Sequence, residues 1–132
     1  MNFLLDTHIF IWAIFEPEKI PKKSRAAILH TDSSVYISII TFWEISLKFT
    51  VGKINLKGVL PDKLPEIARN DGFKILDLDA DTTSSFYKLP KVKNQDPFDR
   101  MLAWQAIKKD FHLLTKDRDF ADYKDHGLKI VW

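Results

Sequence analysis

The chain has 132 residues, of which 45% are hydrophobic and 13% aromatic, enough apolar material for the core of one domain spanning residues 1–132. It contains no cysteine, which excludes a disulfide framework and any thiolate metal site. Its formal charge of +2 permits a nucleic-acid partner without requiring one. The apolar run at residues 9–15 is too short to cross a membrane. We therefore expect no signal peptide, no membrane partner and a cytoplasmic location.

Short apolar runs alternate with helical patterns from the start of the chain. The first run, residues 3–5, ends at Asp6 and is followed by a helical stretch over residues 9–13. A second helix is predicted over residues 24–29. The clearest strand covers residues 35–40, because this segment is rich in β-branched residues and follows a polar turn.

The strand at residues 35–40 leads directly into Thr41-Phe42-Trp43-Glu44, a Thr-x-x-Glu pattern that predicts a capping box and a helix to about Val51. The later predicted elements are a helix over residues 60–71, a strand over 73–78, a helix over 81–89, a long helix from Pro97, a strand over 111–115, a helix over 117–123 and a strand over 128–132. Continuously apolar strands between helices are typical of a parallel sheet buried on both faces. We predict an α/β fold, a three-layer α/β/α sandwich with a central parallel sheet of about five strands.

The segment Asp96-Pro97-Phe98-Asp99 opens a helix that is apolar on most of its sides. Asp96 suits the N-cap and Pro97 the first helical position. Asp99 then falls in the first turn, where a carboxylate meets free backbone N–H groups. Taken alone, the segment predicts a well-capped helix packed between layers.

Four acids from separate segments are predicted to meet at the carboxyl edge of the sheet, where parallel α/β folds usually bind ligands. Asp6 ends the first strand, Glu44 lies one turn into a helix, Asp99 opens another helix, and Asp117 follows a strand. Three of the four acids also have a structural explanation. Glu44 could complete its capping box or pair with Lys48, Asp117 could be an N-cap, and Asp99 could be favoured by the helix dipole. These structural explanations do not account for the predicted position of all four acids at the same edge of the sheet.

Carboxylates that lie close together repel one another, so they either raise their pKa values or require a cation. A set of oxygen donors without cysteine favours a hard ion, Mg²⁺ or Mn²⁺, over zinc. Such ions activate water and stabilise phosphoryl oxygens when phosphodiesters are hydrolysed. The four histidines show no metal-ligand spacing, and only His8 lies near the predicted site.

Four segments in order along the chain resemble the motifs of a PIN domain and, more narrowly, of the VapC-type ribonuclease toxins of bacterial toxin–antitoxin pairs. They are Leu4-Leu5-Asp6-Thr7-His8, Trp43-Glu44-Ile45, Asp96-Pro97-Phe98-Asp99-Arg100 and Leu114-Thr115-Lys116-Asp117-Arg118-Asp119-Phe120. The resemblance covers essentially the whole chain. It implies a metal-dependent endoribonuclease that uses Mg²⁺ or Mn²⁺, acts on RNA, forms a homodimer and is held inactive by a cognate VapB-like antitoxin.

The resemblance also implies roles for individual residues. Asp6 and Asp99 are expected to bind the metal directly, while Glu44 and Asp117 complete the site and position the attacking water. The accessory candidates are Asp96, Asp119, Thr7 and Thr115. The candidates for contacts with RNA phosphates are Lys91, Lys93, Arg100 and Arg118, although a solvated surface is the slightly favoured explanation for each lysine taken singly.

Two other functions stay open from the sequence: a PIN-like module that binds a protein without catalysis, and a DNA nuclease. A phosphoacceptor receiver domain is rejected because it needs an acidic pair after the first strand, whereas Asp6 is followed by Thr7. The aromatic residues Phe10, Trp12, Trp43 and Phe49 would suit an antitoxin groove, but core packing is the favoured explanation for them.

Overall fold

Five parallel strands form the centre of the computed structural model, which describes all residues from Met1 to Trp132. They are Asn2–Leu5 (β1), Ser34–Ser38 (β2), Lys74–Leu76 (β3), His112–Leu114 (β4) and Lys129–Val131 (β5). Their order in the sheet is β3-β2-β1-β4-β5. β2 and β3 therefore extend the sheet on one side of β1, and β4 and β5 extend it on the other side. Sheets of this kind bind ligands where the direction changes, here between β1 and β4.

Helices cover both faces of the sheet. The α-helices are Thr7–Phe15 (α1), Lys22–Leu29 (α2), Ile39–Thr50 (α3), Leu64–Asn70 (α4), Ala80–Ser84 (α5) and Pro97–Lys109 (α6). Shorter 3-10 helices lie at Pro17–Lys19, Pro61–Lys63, Phe86–Lys88 and Arg118–His126. None of the helices combines the length and the apolar character that a membrane span requires.

Residues of the central strand alternate between two separate cores. Phe3 and Leu5 pack into the core beneath α1–α4, whereas Leu4 packs into the core beneath α5, α6 and the last 3-10 helix. None of the three is more than 2% exposed. This alternation follows from the period of two along a strand. The predicted α/β/α sandwich with a parallel sheet of five strands is therefore confirmed.

The boundary between β2 and α3 differs from the prediction. β2 ends at Ser38, and the next two isoleucines lie in α3 rather than in the strand. The helix starts early because the Ser38 hydroxyl accepts a hydrogen bond from the Ile40 amide at 3.1 Å and so acts as the N-cap. The predicted capping box at Thr41 and Glu44 is wrong. Thr41 is instead buried within the helix, and the Glu44 carboxylate is available for other contacts.

Several other helices have different limits or winding from those predicted. The predicted helix over residues 60–71 starts as a 3-10 helix and becomes α-helical only at Leu64. The one over residues 81–89 divides into α5 and a 3-10 helix, and the one after Asp117 is a 3-10 helix throughout. In contrast, α1 and α2 begin earlier than predicted, at Thr7 and Lys22. The first and last residues of a helix depend on local capping contacts, which cannot be predicted from hydrophobic periodicity.

The start of α6 matches the prediction closely. The Asp96 carboxylate accepts hydrogen bonds from the Phe98 amide at 2.9 Å and from the Asp99 amide at 3.0 Å, and Pro97 occupies the first turn. The middle of the helix is buried from Leu102 to Ala106. Packing between the sheet and the surrounding elements thus fixes α6 and, with it, the carboxylate in its first turn.

Candidate active site

Asp6 lies at the carboxyl end of β1 and is only 5% exposed. Its Oδ1 accepts a hydrogen bond from the Thr7 amide at 2.7 Å, and its Oδ2 accepts one from the Thr115 hydroxyl at 2.8 Å. Thr115 follows β4, which pairs with β1. Burial raises the pKa of Asp6, although the hydrogen bonds from Thr115 and Thr7 and the nearby His8 act against this rise.

Glu44 reaches the same region from α3 and is also 5% exposed. Its Oε1 accepts a hydrogen bond from the Thr7 hydroxyl at 2.7 Å. Its Oε2 is paired with the ammonium group of Lys48 one turn further along the helix, an alternative that the sequence had left open. Thr7 therefore holds two acids at once, Asp6 through its amide and Glu44 through its hydroxyl.

Asp99 projects from the first turn of α6 and is partly buried. Its Oδ2 accepts a hydrogen bond from the Asn94 side-chain amide at 3.0 Å, and its Oδ1 has no hydrogen-bond donor in the protein. Burial, reinforced by the negative charges of Asp6, Asp96 and Glu44, raises the pKa of Asp99 to about 7. The Asn94 hydrogen bond opposes this rise. Acids from three segments thus repel one another in one pocket.

Asp117 lies at the margin of this group. Its amide donates to the Thr115 hydroxyl at 2.9 Å, the same hydroxyl that donates to Asp6. Its carboxylate accepts a hydrogen bond from the Asp119 amide at 2.9 Å and caps the 3-10 helix Arg118–His126. The structure therefore joins Asp6 and Glu44 through Thr7 and places Asp99 where both of their charges act on it, and it connects Asp117 to Asp6 through Thr115. The Asp119 side chain is exposed and lines a neighbouring cleft.

Comparison with known proteins identifies the family. Residues 3–125 match the model of the PIN domain. The chain belongs to the PIN domain family. Ribonuclease VapC22 of Mycobacterium tuberculosis is 25% identical to it over 129 residues, which cover 98% of this chain and 97% of the relative.

Solved structures with the same fold match this PIN domain along nearly its whole length. VapBC2 from Rickettsia felis, bound to a DNA fragment from its promoter, has a TM-score of 0.68 at 20% identity and covers 99% of this chain and 98% of the other. VapBC-1 from nontypeable Haemophilus influenzae has a TM-score of 0.66 at 20% identity, with 99% and 97% coverage. At these identities the likeness establishes the fold.

The acids of this PIN domain fit a hard divalent cation by their chemistry. Asp6, Glu44 and Asp99 supply only oxygen donors, and burial, followed by repulsion from nearby acids, raises the pKa values of Asp6 and Asp99. In the present side-chain conformations no group of three Asp, Glu, His or Cys side chains forms a ready-made metal cage. The second oxygen of Glu44 is paired with Lys48.

Arg100 of the PIN domain is held against the protein. Its guanidinium group donates to the carbonyl oxygens of Leu89 and Pro90, both at 3.3 Å, and to the Tyr123 hydroxyl at 3.0 Å. It also lies 5.3 Å from the centre of the Phe86 ring. These contacts join α6 to the loop before it and to the last 3-10 helix. They leave Arg100 less able to meet a phosphate than the basic residues nearby.

Lys93 and Arg118 belong to a polar cleft of about 460 Å³ that adjoins the acids. Asn94, which donates to Asp99, lines the same cleft together with Asp119 and Asp122. Neither Lys93 nor Arg118 takes part in an ion pair. Lys91 lies further away, on a smaller depression shared with Arg100. The cleft therefore offers two uncommitted cationic groups beside the carboxylates.

Two polar residues with structural roles are not predicted from the sequence. Asn94 holds Asp99, but it lies in a loop without periodicity, so no pattern marks it. Gln105 is buried in α6, where its Oε1 accepts a hydrogen bond from the Ser38 hydroxyl and its Nε2 donates to the Asp77 carbonyl at 3.4 Å. A single amide side chain in an apolar helix is the signal that could have revealed Gln105.

Of the four aromatic residues considered for either the core or an antitoxin groove, some are buried and others are exposed. Phe10 is fully buried and belongs to the core, as favoured, and Trp12 is partly buried. Trp43 and Phe49 are instead 59% and 39% exposed. Trp43 belongs to a row of exposed apolar side chains spaced four residues apart, which we call the α3 stripe: Ile39, Trp43, Leu47 and Val51.

Proposed function

We propose that this PIN domain is a VapC-type endoribonuclease, the toxin of a toxin–antitoxin pair, and that it hydrolyses RNA phosphodiesters with Mg²⁺ or Mn²⁺. The observation that supports the proposal is the grouping of Asp6, Glu44 and Asp99 at the carboxyl edge of the sheet, where burial, together with the charges of nearby acids, raises the pKa of Asp99 to about 7. Such a pocket favours a divalent cation. The relative named a ribonuclease, which this chain matches along nearly its whole length, supports the same activity.

In this proposal Asp6 and Asp99 hold the cation and Glu44 completes the set. A bound cation would supply an activated water and stabilise the charge on the phosphate oxygens. Thr7 and Thr115 keep the Asp6 carboxylate in one orientation, since they donate to its two different oxygens. The products expected from the family resemblance are a 5′-phosphate and a 3′-hydroxyl.

The accessory residues have distinct proposed roles. Asp117 acts from the margin of the pocket, where it helps to position the attacking water, and Asp119 lies beyond it. Asp96 acts through the backbone of α6, because its carboxylate accepts hydrogen bonds from the first turn. Lys93 and Arg118 position the RNA backbone from the polar cleft. Lys91 and Arg100 contribute less, since Arg100 is committed to the protein.

The proposed partners are a VapB-like antitoxin and a second copy of the chain. The α3 stripe supports an association surface near the site, because Trp43 lies edge-on against Phe98 at the start of α6, 5.4 Å between ring centres. Contiguous exposed apolar patches often mark sites of protein association. An RNA-cleaving toxin of this class acts in the cytoplasm, where we place the protein.

The substitutions Asp6→Asn and Asp99→Asn test the proposal. Each removes a charge from the pocket with little change of shape, so we expect each to abolish cleavage of total cellular RNA in Mn²⁺ while the far-ultraviolet circular dichroism stays unchanged. Asp125→Asn is the matched control, because Asp125 is exposed and lies outside the pocket. Full activity of either pocket variant would refute the site.

Two further measurements separate the proposal from its alternatives. A matched pair of RNA and DNA strands with the same sequence distinguishes an RNase from a DNA nuclease, and we expect only the RNA to be cut. Addition of a chelator should stop the reaction and excess Mn²⁺ should restore it. A protein that cuts neither strand in Mg²⁺ or Mn²⁺ would be a binding module.

A further inference from the structure

Lys48 is the basic residue that forms an ion pair with an acid of the candidate site. Its ammonium group contacts Glu44 Oε2, while all other ion pairs of the protein lie away from the pocket. The pair differs from an ordinary surface pair at helical spacing, because only 6% of the Glu44 side chain is exposed. Lys48 therefore delivers a positive charge to a buried carboxylate from the outer side of α3.

The charge of Lys48 acts on more than one acid. Its ammonium group is attracted by Asp96 and Asp99 as well as by Glu44. Lys48 thus partly neutralises the acids that α3 and the start of α6 bring to the site.

Lys48 and a divalent cation would compete for the same carboxylate. The Thr7 hydroxyl donates to Oε1 of Glu44, and the Lys48 ammonium group is paired with Oε2. A divalent cation bound to Glu44 would lie close to this ammonium group, and the two positive charges would repel each other. At the same time 40% of the Lys48 side chain is exposed, so its long stem can carry the ammonium group into solvent without disturbing the core.

We propose that Lys48 is a built-in counter-cation, which neutralises Glu44 in the metal-free protein and is displaced by charge repulsion when a divalent cation binds. Lys48 then sets the metal affinity: it makes the empty pocket stable and makes metal binding weaker than the acids alone would allow. This inference rests on the proposed function, because it assumes that Asp6, Glu44 and Asp99 form a metal site. Lys48 is a positioning residue in this scheme.

Metal binding measured directly tests the inference. We would titrate Mn²⁺ alone into the metal-free protein by isothermal calorimetry and compare the wild type with Lys48→Met and Lys48→Gln, which both remove the charge. A unit charge a few ångströms from a divalent ion is a large effect even when solvent screens it, so we expect Mn²⁺ to bind both variants on the order of tenfold more tightly. The metal-free variants should also melt at a lower temperature and gain more from added Mn²⁺ than the wild type does.

Two variants serve as controls. Lys48→Arg keeps the charge and should bind Mn²⁺ with an affinity close to that of the wild type. Lys53→Met causes the same change in net charge at an exposed lysine without an ion pair, and it should leave the affinity unchanged. A merely structural role for Lys48 would lower the melting temperature without tightening Mn²⁺ binding.

Failure of the inference and failure of the proposed function give different results. If the wild type binds Mn²⁺ and cuts RNA, and the charge-removing variants bind Mn²⁺ equally or more weakly, the inference is wrong and the function stands. If neither the wild type nor the variants bind Mn²⁺, both are wrong.

Discussion

The raised pKa of Asp99 predicts how the stability of the folded protein changes with pH, independently of any catalytic activity. In the metal-free protein its carboxyl group has a pKa of about 7, against an ordinary value of 3.8. Between these two values the folded chain keeps a proton that the unfolded chain releases, so stability falls as pH rises from about 4 to about 7 and then stays level. The substitution Asp99→Asn removes this penalty.

The size of the effect follows from the same values. A difference between 3.8 and about 7 corresponds to ~4 kcal/mol for a fully buried group, at about 1.4 kcal/mol for each pH unit. Because Asp99 is only partly buried, solvent screening reduces the penalty to ~2 kcal/mol. For a chain of this length that amounts to a rise of ~7 °C in the melting temperature of Asp99→Asn at pH 8. Near pH 4 the variant and the wild type should melt together.

The assay is thermal unfolding followed by circular dichroism from pH 4 to pH 8, with a chelator present throughout. Asp125→Asn serves as the control, since Asp125 is exposed and outside the pocket, and its melting temperature should follow that of the wild type at every pH. The reasoning is refuted if Asp99→Asn is no more stable than the wild type at pH 8, or if its advantage grows as the pH falls.

Two further predictions concern α3. Ser38→Ala removes the N-cap of the helix and the donor to Gln105. Urea unfolding should therefore show a free energy of unfolding lower by ~2 kcal/mol. The control Ser46→Ala, on the exposed side of the helix, should change it by no more than ~0.5 kcal/mol. Leu47→Asp places a charge in the α3 stripe. Light scattering should show that this variant no longer associates with a second copy or with the antitoxin. Its melting temperature should stay within ~3 °C of that of the wild type. Unchanged association of Leu47→Asp would exclude the stripe as a contact surface.

The layer order and the sheet were predictable because the strands are continuously apolar. Segments such as Phe3 to Leu5 have no polar side for solvent, and that pattern alone requires helices on both faces. The cap at Asp96 was also predictable, because Asp-Pro at the start of an apolar run leaves few other conformations. Both predictions rest on strong local preferences.

The start of α3 was not predictable from the same kind of reasoning. Ile39 and Ile40 continue the β-branched run of the strand, so propensity favours extended backbone there. Ile39 and Ile40 are nevertheless helical, because Ser38 caps the helix and donates a hydrogen bond to Gln105, a residue 67 positions away. Asn94 was missed for a related reason, since its contact with Asp99 depends on how a loop without periodicity folds back over α6.

The hydrogen bond from Thr115 to Asp6 has a consequence for the timing of activity. It joins residues 109 positions apart, and it can form only after β4 has inserted beside β1. A chain emerging from the ribosome builds β1, β2 and β3 well before β4, so Asp6 gains the second of its two hydrogen-bond donors only when most of the protein has been made. A prematurely terminated chain would carry Asp6, Thr7 and Glu44 but would lack the Thr115 hydroxyl that holds the second oxygen of Asp6. Synthesis itself thus delays the complete site until the last strands have been made.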